Sequence, residues 1–378
     1  MRNRALLVMG LLCTASSAGA HSVLLVDNPA KPASLKLEMD FGASLFAAND
    51  MVAVNSFDDD VWPSDYRTRA TNNRALGNGR VEFSARKLGW NVAYFYRQDW
   101  LIDANRDAVD IYAMDKNGQL PITTRTYQFD YANNGFEADG LKFGYSKDLR
   151  ANEKSGFILG LSASLLRGLA MRDERTQGML DVNGTNSTGI LKGTQNIYST
   201  FLKSGSGTFY AFNAPQENIA NGLGYGFDLG ATYYAPNGAK ASFVVNDLFG
   251  RIRWDKIPHI ASVIDTTCTP GCATTGTNAY EAHTLKLDPK FSLSGEYPLG
   301  PTMLVGQLES QNGLWFPLAG LRYAVTPSWT AGLDYESRFG SLGLSLTHSN
   351  FNISLASQPS GFNSSRVLGL TLGAHYAF

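Results

Sequence analysis

The chain of 378 residues carries 33 acidic and 32 basic side chains, a formal net charge of -1, so no charge imbalance points to nucleic acid or a polyanionic ligand. Charged residues make up only 17%, while Gly reaches 38, Phe 21 and Tyr 17 at an ordinary 44% hydrophobic content. That combination excludes a disordered chain and a bundle of membrane helices, and it favours strands with one face turned toward something apolar.

Residues 1–20 read as a signal peptide removed on export. Arg2 and Arg4 precede the apolar stretch Ala5 to Cys13, and Ala18-Gly19-Ala20 has the small-x-small form of a cleavage site. The mature chain is expected to begin at His21, with 21–33 a short periplasmic segment and 34–378 a single barrel domain. Cys13 follows Leu12 rather than a small residue, which sets aside an acylated N-terminal cysteine. Downstream, charges, Asn or Gly interrupt every apolar run before it reaches the length of a spanning helix.

From there the hydrophobic period is two. Leu35, Leu37, Met39, Phe41, Ala43 and Leu45 alternate with Lys36, Glu38, Asp40, Gly42 and Ser44. At the other end Leu368, Leu370, Leu372, Ala374, Tyr376 and Phe378 alternate with Gly369, Thr371, Gly373, His375 and Ala377. A soluble sandwich alternates too. What separates the two is the position of the rings: Trp90, Tyr94, Tyr96, Tyr145, Tyr233, Tyr297, Trp315, Trp329, Tyr335 and Tyr376 gather where strands meet turns, as in the aromatic girdles of a membrane barrel.

Turn residues divide the chain into strands at 34–46, 79–87, 90–98, 122–148, 156–171, 222–234, 239–254, 283–297, 301–311, 315–325, 329–336, 340–348, 351–357 and 366–378, each near or above the ~9–11 residues a tilted membrane strand requires. The pattern predicts an all-β, antiparallel transmembrane barrel of about 14 strands, with 12 and 16 as alternatives, both termini in the periplasm and long extracellular loops. The long links are 47–78, 99–121, 172–221, 255–282 and 358–365. Two regions are open: Asn133-Asn134-Gly135 could form a bulge or a hairpin, and 172–221 could hold another hairpin. In the 255–282 link, Cys268 and Cys272 flank Thr-Pro-Gly. After export they are expected to form a disulfide rather than a metal site.

Gly222-Leu-Gly-Tyr-Gly-Phe-Asp228-Leu-Gly230-Ala-Thr-Tyr233, then Pro236-Asn-Gly238, then Phe243-Val-Val-Asn246-Asp247-Leu248, resembles a strand-turn-strand unit of the outer-membrane superfamily of fatty-acid and hydrophobic-compound transporters, which includes barrels of plasmid transfer and secretion. Asn28-Pro29-Ala30 resembles an Asn-Pro-Ala near the N-terminus in the same superfamily. The matched residues span about a tenth of the chain. The resemblance implies a fourteen-stranded transporter barrel. It does not extend to the longer Gly-rich hatch that plugs the transporters' lumen, because only His21 to Ala33 precedes the first strand here.

The inward parity carries charges of both signs: Lys36, Glu38 and Asp40; Glu82, Arg86 and Arg97; Lys142 and Asp228; Lys286, Asp288, Lys290 and Glu296; Arg322, Asp334 and Glu336. They define a wetted lumen, either as a polar path or as charge ladders that stabilise the wall. Ile197, Phe201, Phe209 and Phe212 in the 172–221 link are more apolar than a solvated loop requires, and are expected to gate or plug the mouth.

Enzymatic readings are weaker. His348-Ser349-Asn350 holds the residue types of a triad, but neighbouring strand positions point to opposite faces. Asp58-Asp59-Asp60 lacks the glycine and ligand spacing of a calcium loop. No catalytic residue, metal site or cofactor is expected. The expectation is an outer-membrane channel or transporter for small, hydrophobic or amphipathic molecules. A surface-exposed structural or secretion-accessory barrel acting on proteins through its loops is the alternative, and a barrel hydrolase a weaker one. The expected partners are outer-membrane lipid, the barrel-assembly machinery reading the strand that ends at Phe378, and an unknown solute.

Overall fold

The protein is described here by a computed structural model, which covers residues 22–378 except 58, 71, 120–123, 152–154, 184–187, 204, 206–210, 216, 267–274 and 362. The expected signal peptide, Asp58, Phe209, Cys268 and Cys272 lie outside the described residues. The strands are β1 (Glu38–Asn49), β2 (Asn73–Lys87), β3 (Trp90–Ala104), β4 (Arg125–Asp148), β5 (Gly156–Asn183), β6 (Thr188–Ser199), β7 (Gly222–Tyr234), β8 (Lys240–Asp265), β9 (Thr275–Lys286), β10 (Lys290–Leu299), β11 (Thr302–Gln311), β12 (Leu314–Thr326), β13 (Trp329–Glu336), β14 (Ser341–His348), β15 (Phe351–Ser357) and β16 (Val367–Ala377).

Fourteen of them close an antiparallel barrel in the order β1 to β5, β7, β8, then β10 to β16. The seam is β1 against β16, with Met39 opposite Tyr376. The other two extend the wall upward. β6 fills the gap above β7 by pairing with the upper parts of β5 and β8, and β9 stands above β10 on the far side of β8. The wall's strands match the expected ones closely, but the expected long links 172–221 and 255–282 are largely strand. Link 99–121 contains the end of β3 and a helix, α1 (Arg106–Lys116), whose N-cap Asn105 accepts from the Ala108 N–H. β4 runs unbroken through Asn133-Asn134-Gly135, and the bulge lies opposite, where Leu169 of β5 is skipped beside Glu137 and Ala138.

The alternation sets the faces. Outward side chains such as Leu45, Phe83, Leu141, Phe143, Leu161, Leu229, Phe243, Leu293, Leu321 and Leu344 are exposed all round the wall, a contiguous apolar surface far larger than a water-facing protein carries. Trp90, Tyr94, Tyr145, Tyr233, Tyr297, Trp315, Tyr335 and Tyr376 are exposed with them, consistent with rings at a membrane interface. No described helix is long and apolar enough to cross a membrane.

Tight turns pin the register at both ends. Leu88-Gly89 and Asn312-Gly313 have positive φ at both central residues (54° and 85°; 52° and 70°), the geometry that matches the twist of a two-residue hairpin. The wall is uneven in height: β4, β5 and β8 run 24, 28 and 26 residues, whereas β13, β14 and β15 run 8, 8 and 7.

Candidate functional site: a plugged lumen

Residues 22–33, expected beneath the barrel, instead run inside it. Unpaired backbone can be buried only where the wall supplies partners, and here it does. Glu309 of β11 accepts the Ser22 hydroxyl at 2.6 Å and the Val23 and Leu24 N–H groups at 2.8 and 2.9 Å. Asn78 donates to the Val23 carbonyl at 3.1 Å, and Lys290 Nζ donates to the Leu24 carbonyl at 3.1 Å. Lower down, Asn246 both accepts from the Asp27 N–H and donates to the Asp27 carbonyl, each at 2.8 Å, and Asn28 donates to Thr232 at 3.0 Å. Leu25 takes a left-handed φ of 52°, a conformation that costs a branched residue energy and persists where surrounding contacts hold it.

The wall has a groove for the next turn of this plug. A Cβ on Gly160 would come within 2.3 Å of the Pro29 carbonyl group, and one on Gly230, directly across the sheet, within 2.4 Å of Asn28 Oδ1. Paired glycines therefore let Asn28-Pro29-Ala30 lie flat on β5 and β7.

Around the plug is a charged layer. Lys142, buried to 2% exposure, reaches Asp27 at 2.8 Å, Asp228 at 3.4 Å and Glu82 at 3.8 Å. Arg80 pairs with Glu82 and stands 3.8 Å from Asp27, which Lys31 approaches at 3.4 Å. A second group joins it: Arg97 pairs with Asp99 and, at 2.6 Å, with Asp247, while Lys290 meets Asp99 at 2.8 Å. The acids Asp27, Glu82, Asp99, Asp228 and Asp247 and the bases Lys31, Arg80, Arg97, Lys142 and Lys290 match one for one. Buried charge is tolerated on that condition.

Above this layer the interior turns apolar. On the β3–β9 side Phe136, Leu166, Met171, Ile252, Trp254 and Leu287 pack together and onto Phe95, whose ring lies beside Arg80 and Lys142 of the charged layer. On the other side Val23 and Leu24 of the plug pack against Phe46, Leu76, Phe316, Phe339 and Val367. Between them a cavity of about 50 Å³, bordered by Leu24, Leu76, Phe136, Leu287 and Phe316, sits directly over the plug. A second, of about 20 Å³, lies in the charged layer. The first holds a few waters and no larger solute.

The sequence candidates fall into three groups. Glu82, Arg97, Lys142, Asp228 and Lys290 meet in the charged layer. Toward the lower end Arg86 pairs with Glu38, His375 lies 2.9 Å from Asp40, and Glu296 lies 3.4 Å from Lys240 and 3.6 Å from Arg322; Asp334 is buried there. The others stand apart. Lys36 precedes β1 and is exposed, and Glu336 caps the β13–β14 turn by accepting the Arg338 and Phe339 N–H groups. Lys286 and Asp288 are exposed at the rim of the upper cavity, because the break between β9 and β10 at Leu287–Pro289 shifts the alternation by one and turns Leu285 and Leu287 inward.

Among the expected gate residues, Ile197 is buried with Leu202, Phe212 and Ile260. Their register leads from Ile197 through Glu174 and Asn133 to Ile102, on the side of the sheet away from the lumen. Phe201 lies 5.9 Å from Trp100 on the same side. Asp27, Arg80, Asp99, Asp247, Asn246 and Glu309 belong to the site and were not singled out from sequence. The spacings Arg80-x-Glu82 and Arg97-x-Asp99, which put opposite charges on one strand face, are a signal that would have found four members. Ser349 Oγ and His348 Nδ1 come to 3.4 Å in an exposed turn where His348 stacks on Phe351, and no group of three His, Cys, Asp or Glu suited to a metal occurs among the described residues.

No family model matches the chain, and no curated protein matches it. Several solved structures align with it over about nine tenths or more of its length, at low identity. The toluene transporter TodX of P. putida aligns at 11% identity and a TM-score of 0.42, covering 94% of this chain and 93% of its own. A FadL homologue of Pseudomonas aeruginosa aligns at 13% and 0.42, covering 97% and 99%. The translocator domain of the autotransporter NalP of Neisseria meningitidis aligns at 10% and 0.31, covering 91% and 89%.

Proposed function

We propose that this chain is an outer-membrane channel for small hydrophobic or amphipathic molecules, closed at rest by its own N-terminal segment. The observation that carries this reading is the apolar upper interior. A barrel built to pass ions or sugars keeps polar side chains along its whole lumen, whereas here Phe136, Leu166, Ile252 and Trp254 face inward above the charged layer and lead onto Leu24 of the plug. An apolar solute gains by leaving water for such a surface, and a hydrated ion loses.

The test is flux in liposomes containing the purified barrel. A small aromatic hydrocarbon or a medium-chain alcohol is expected to equilibrate faster than in empty vesicles, while a disaccharide is retained. Rapid disaccharide release with no effect on the apolar solute would replace this reading with that of a general porin. No flux of either would favour the surface-interaction reading, which the tall extension above β7 and β10 supports.

A further inference from the structure

On the tall side the outward face changes from apolar to charged at one height. Going up the wall, β5 presents Leu159, Leu161 and Leu165 before Arg167, and β8 presents Phe243 and Phe249 before Arg251. Arg251 stands directly opposite Lys286 of β9, and Arg167 opposite Asp139 of β4. The low side has no such row: Trp315, Tyr335 and Leu342, exposed at the tops of β12, β13 and β14, are uncharged. Within the row the charges do not cancel. Arg167 holds Asp139 at 2.5 and 2.8 Å, and Arg253 holds Asp255 at 3.2 Å. Arg251 lies only over the Tyr225 ring, 5.0 Å from its centre, and Asp288, two residues beyond Lys286, accepts instead from Asn312 at 2.8 Å. Among the described residues neither Arg251 nor Lys286 has an ion pair. Like charges directly opposite on one face of a sheet repel, and the charged layer inside the same barrel avoids this by matching acids to bases.

We propose that Arg251 and Lys286 dock the phosphate headgroup of a membrane lipid in the leaflet around the upper end of the barrel. The surface beneath them fits the rest of such a molecule. Phe249, 80% exposed, is turned outward at a left-handed φ of 55°, and Leu223 and Phe227 are exposed on the neighbouring strand. Tails lie against these side chains, while a guanidinium and an ammonium side by side meet phosphate oxygens at the height where headgroups sit. The bound lipid supplies the negative charge that this rung of the sheet lacks. It also steadies β9, which pairs with β8 alone among the described strands. The site is on the outer face and does not depend on what passes through the lumen.

The test titrates the whole barrel in detergent with phosphatidic acid and with phosphatidylcholine of the same chains, and reads bound lipid by native mass spectrometry. Heat-modifiable gel migration verifies folding in every sample. The unaltered chain is expected to hold phosphatidic acid at least about tenfold more tightly than phosphatidylcholine, the scale of two cations at a membrane surface. Lys286→Glu gives Arg251 a partner across the rung, so it should keep the barrel folded and abolish the preference. Lys147→Glu makes the same change of charge at the lower end of β4 and should leave the preference intact. Equal binding of the two lipids by the unaltered chain overturns the proposal, as does a preference that survives Lys286→Glu or is lost equally in Lys147→Glu. Inorganic phosphate at millimolar concentration should not displace the lipid, because it has no tails to lie on Phe249 and Leu223. Displacement by it would make this a site for free anions and overturn the lipid as occupant.

Discussion

The two sides of the barrel wall treat the same kind of side chain in opposite ways. On β4, Phe143 and Phe129 point to the same side of the sheet, yet Phe143 is 49% exposed and Phe129 only 8%. Low in the wall, lipid is the solvent and an outward ring needs no protein cover. Higher up, water is the solvent, and the same face must be covered. Phe129 lies over the Gly178–Gly193 pair, and Ile197 and Ile260 shelter under Leu202 and Phe212. The β10–β16 side never meets this problem because its strands stop after 7 to 13 residues. Height above the membrane, rather than strand pairing, decides whether an outward apolar residue is buried. The plug joins the two sides: Asp27 and Asn28 bind β4, β7 and β8, and the tip binds Glu309 on β11.

The largest effect is expected where the plug meets the tall side. Lys142→Met leaves Asp27, Asp228 and Glu82 short of a cation, and breaking a buried pair in this way costs about 3–5 kcal/mol. Channel currents in planar bilayers should rise severalfold with the barrel still heat-modifiable; unchanged currents would mean that the charged layer does not hold the plug. In the extension, Phe212→Ala should loosen the cover over Ile197 and Ile260, at about 3–5 kcal/mol locally. Brief trypsin treatment is expected to cut within 200–221 while the fourteen-stranded core stays resistant, and a barrel that unfolds as a whole would show that the extension is not a separate layer.

On the low side, Leu370→Arg places a cation against hydrocarbon, at roughly 2–4 kcal/mol, whereas Thr371→Arg faces the lumen and should be milder. Equal loss of assembly in both would contradict the assigned faces. The smallest effect belongs to Cys268 and Cys272, expected to be joined in protein isolated without reductant. Closing so short a loop contributes no more than roughly 2 kcal/mol, so replacing both with Ser should leave the barrel's melting behaviour nearly unchanged, and free thiols in untreated protein would refute the pairing.

What could be seen in the sequence was the part of the molecule with a local cause. The fourteen wall strands follow from a period of two and from turn residues next to them, so both seam strands are visible without any knowledge of their partners. Upper strand ends were placed too low because alternation weakens where lipid gives way to water. β3 continues six residues past the expected boundary at 98, carrying Asp99 with it. The plug was hidden for a different reason. Val23 to Val26 is an apolar run without alternation, and the partners that hold its flanks, Lys142 for Asp27 and Glu309 for Ser22, lie 115 and 287 positions away. Lys286 was assigned inward by a parity that Pro289 interrupts two residues after Leu287.

The seam between β1 and β16 sets a timetable. Its register joins Glu38 to Ala377 and Ala48 to Val367, so the strand made first finds its second neighbour only when the strand made last arrives. Pairing across so much chain is slow to form, and until it forms both strands offer bare edges that other chains could join. Because residues 22–33 enter the barrel just ahead of β1, they have to be inside before that edge is sealed or else thread a finished cylinder. The rate at which β16 zips onto β1 therefore sets how long the N-terminal segment has to be gathered in.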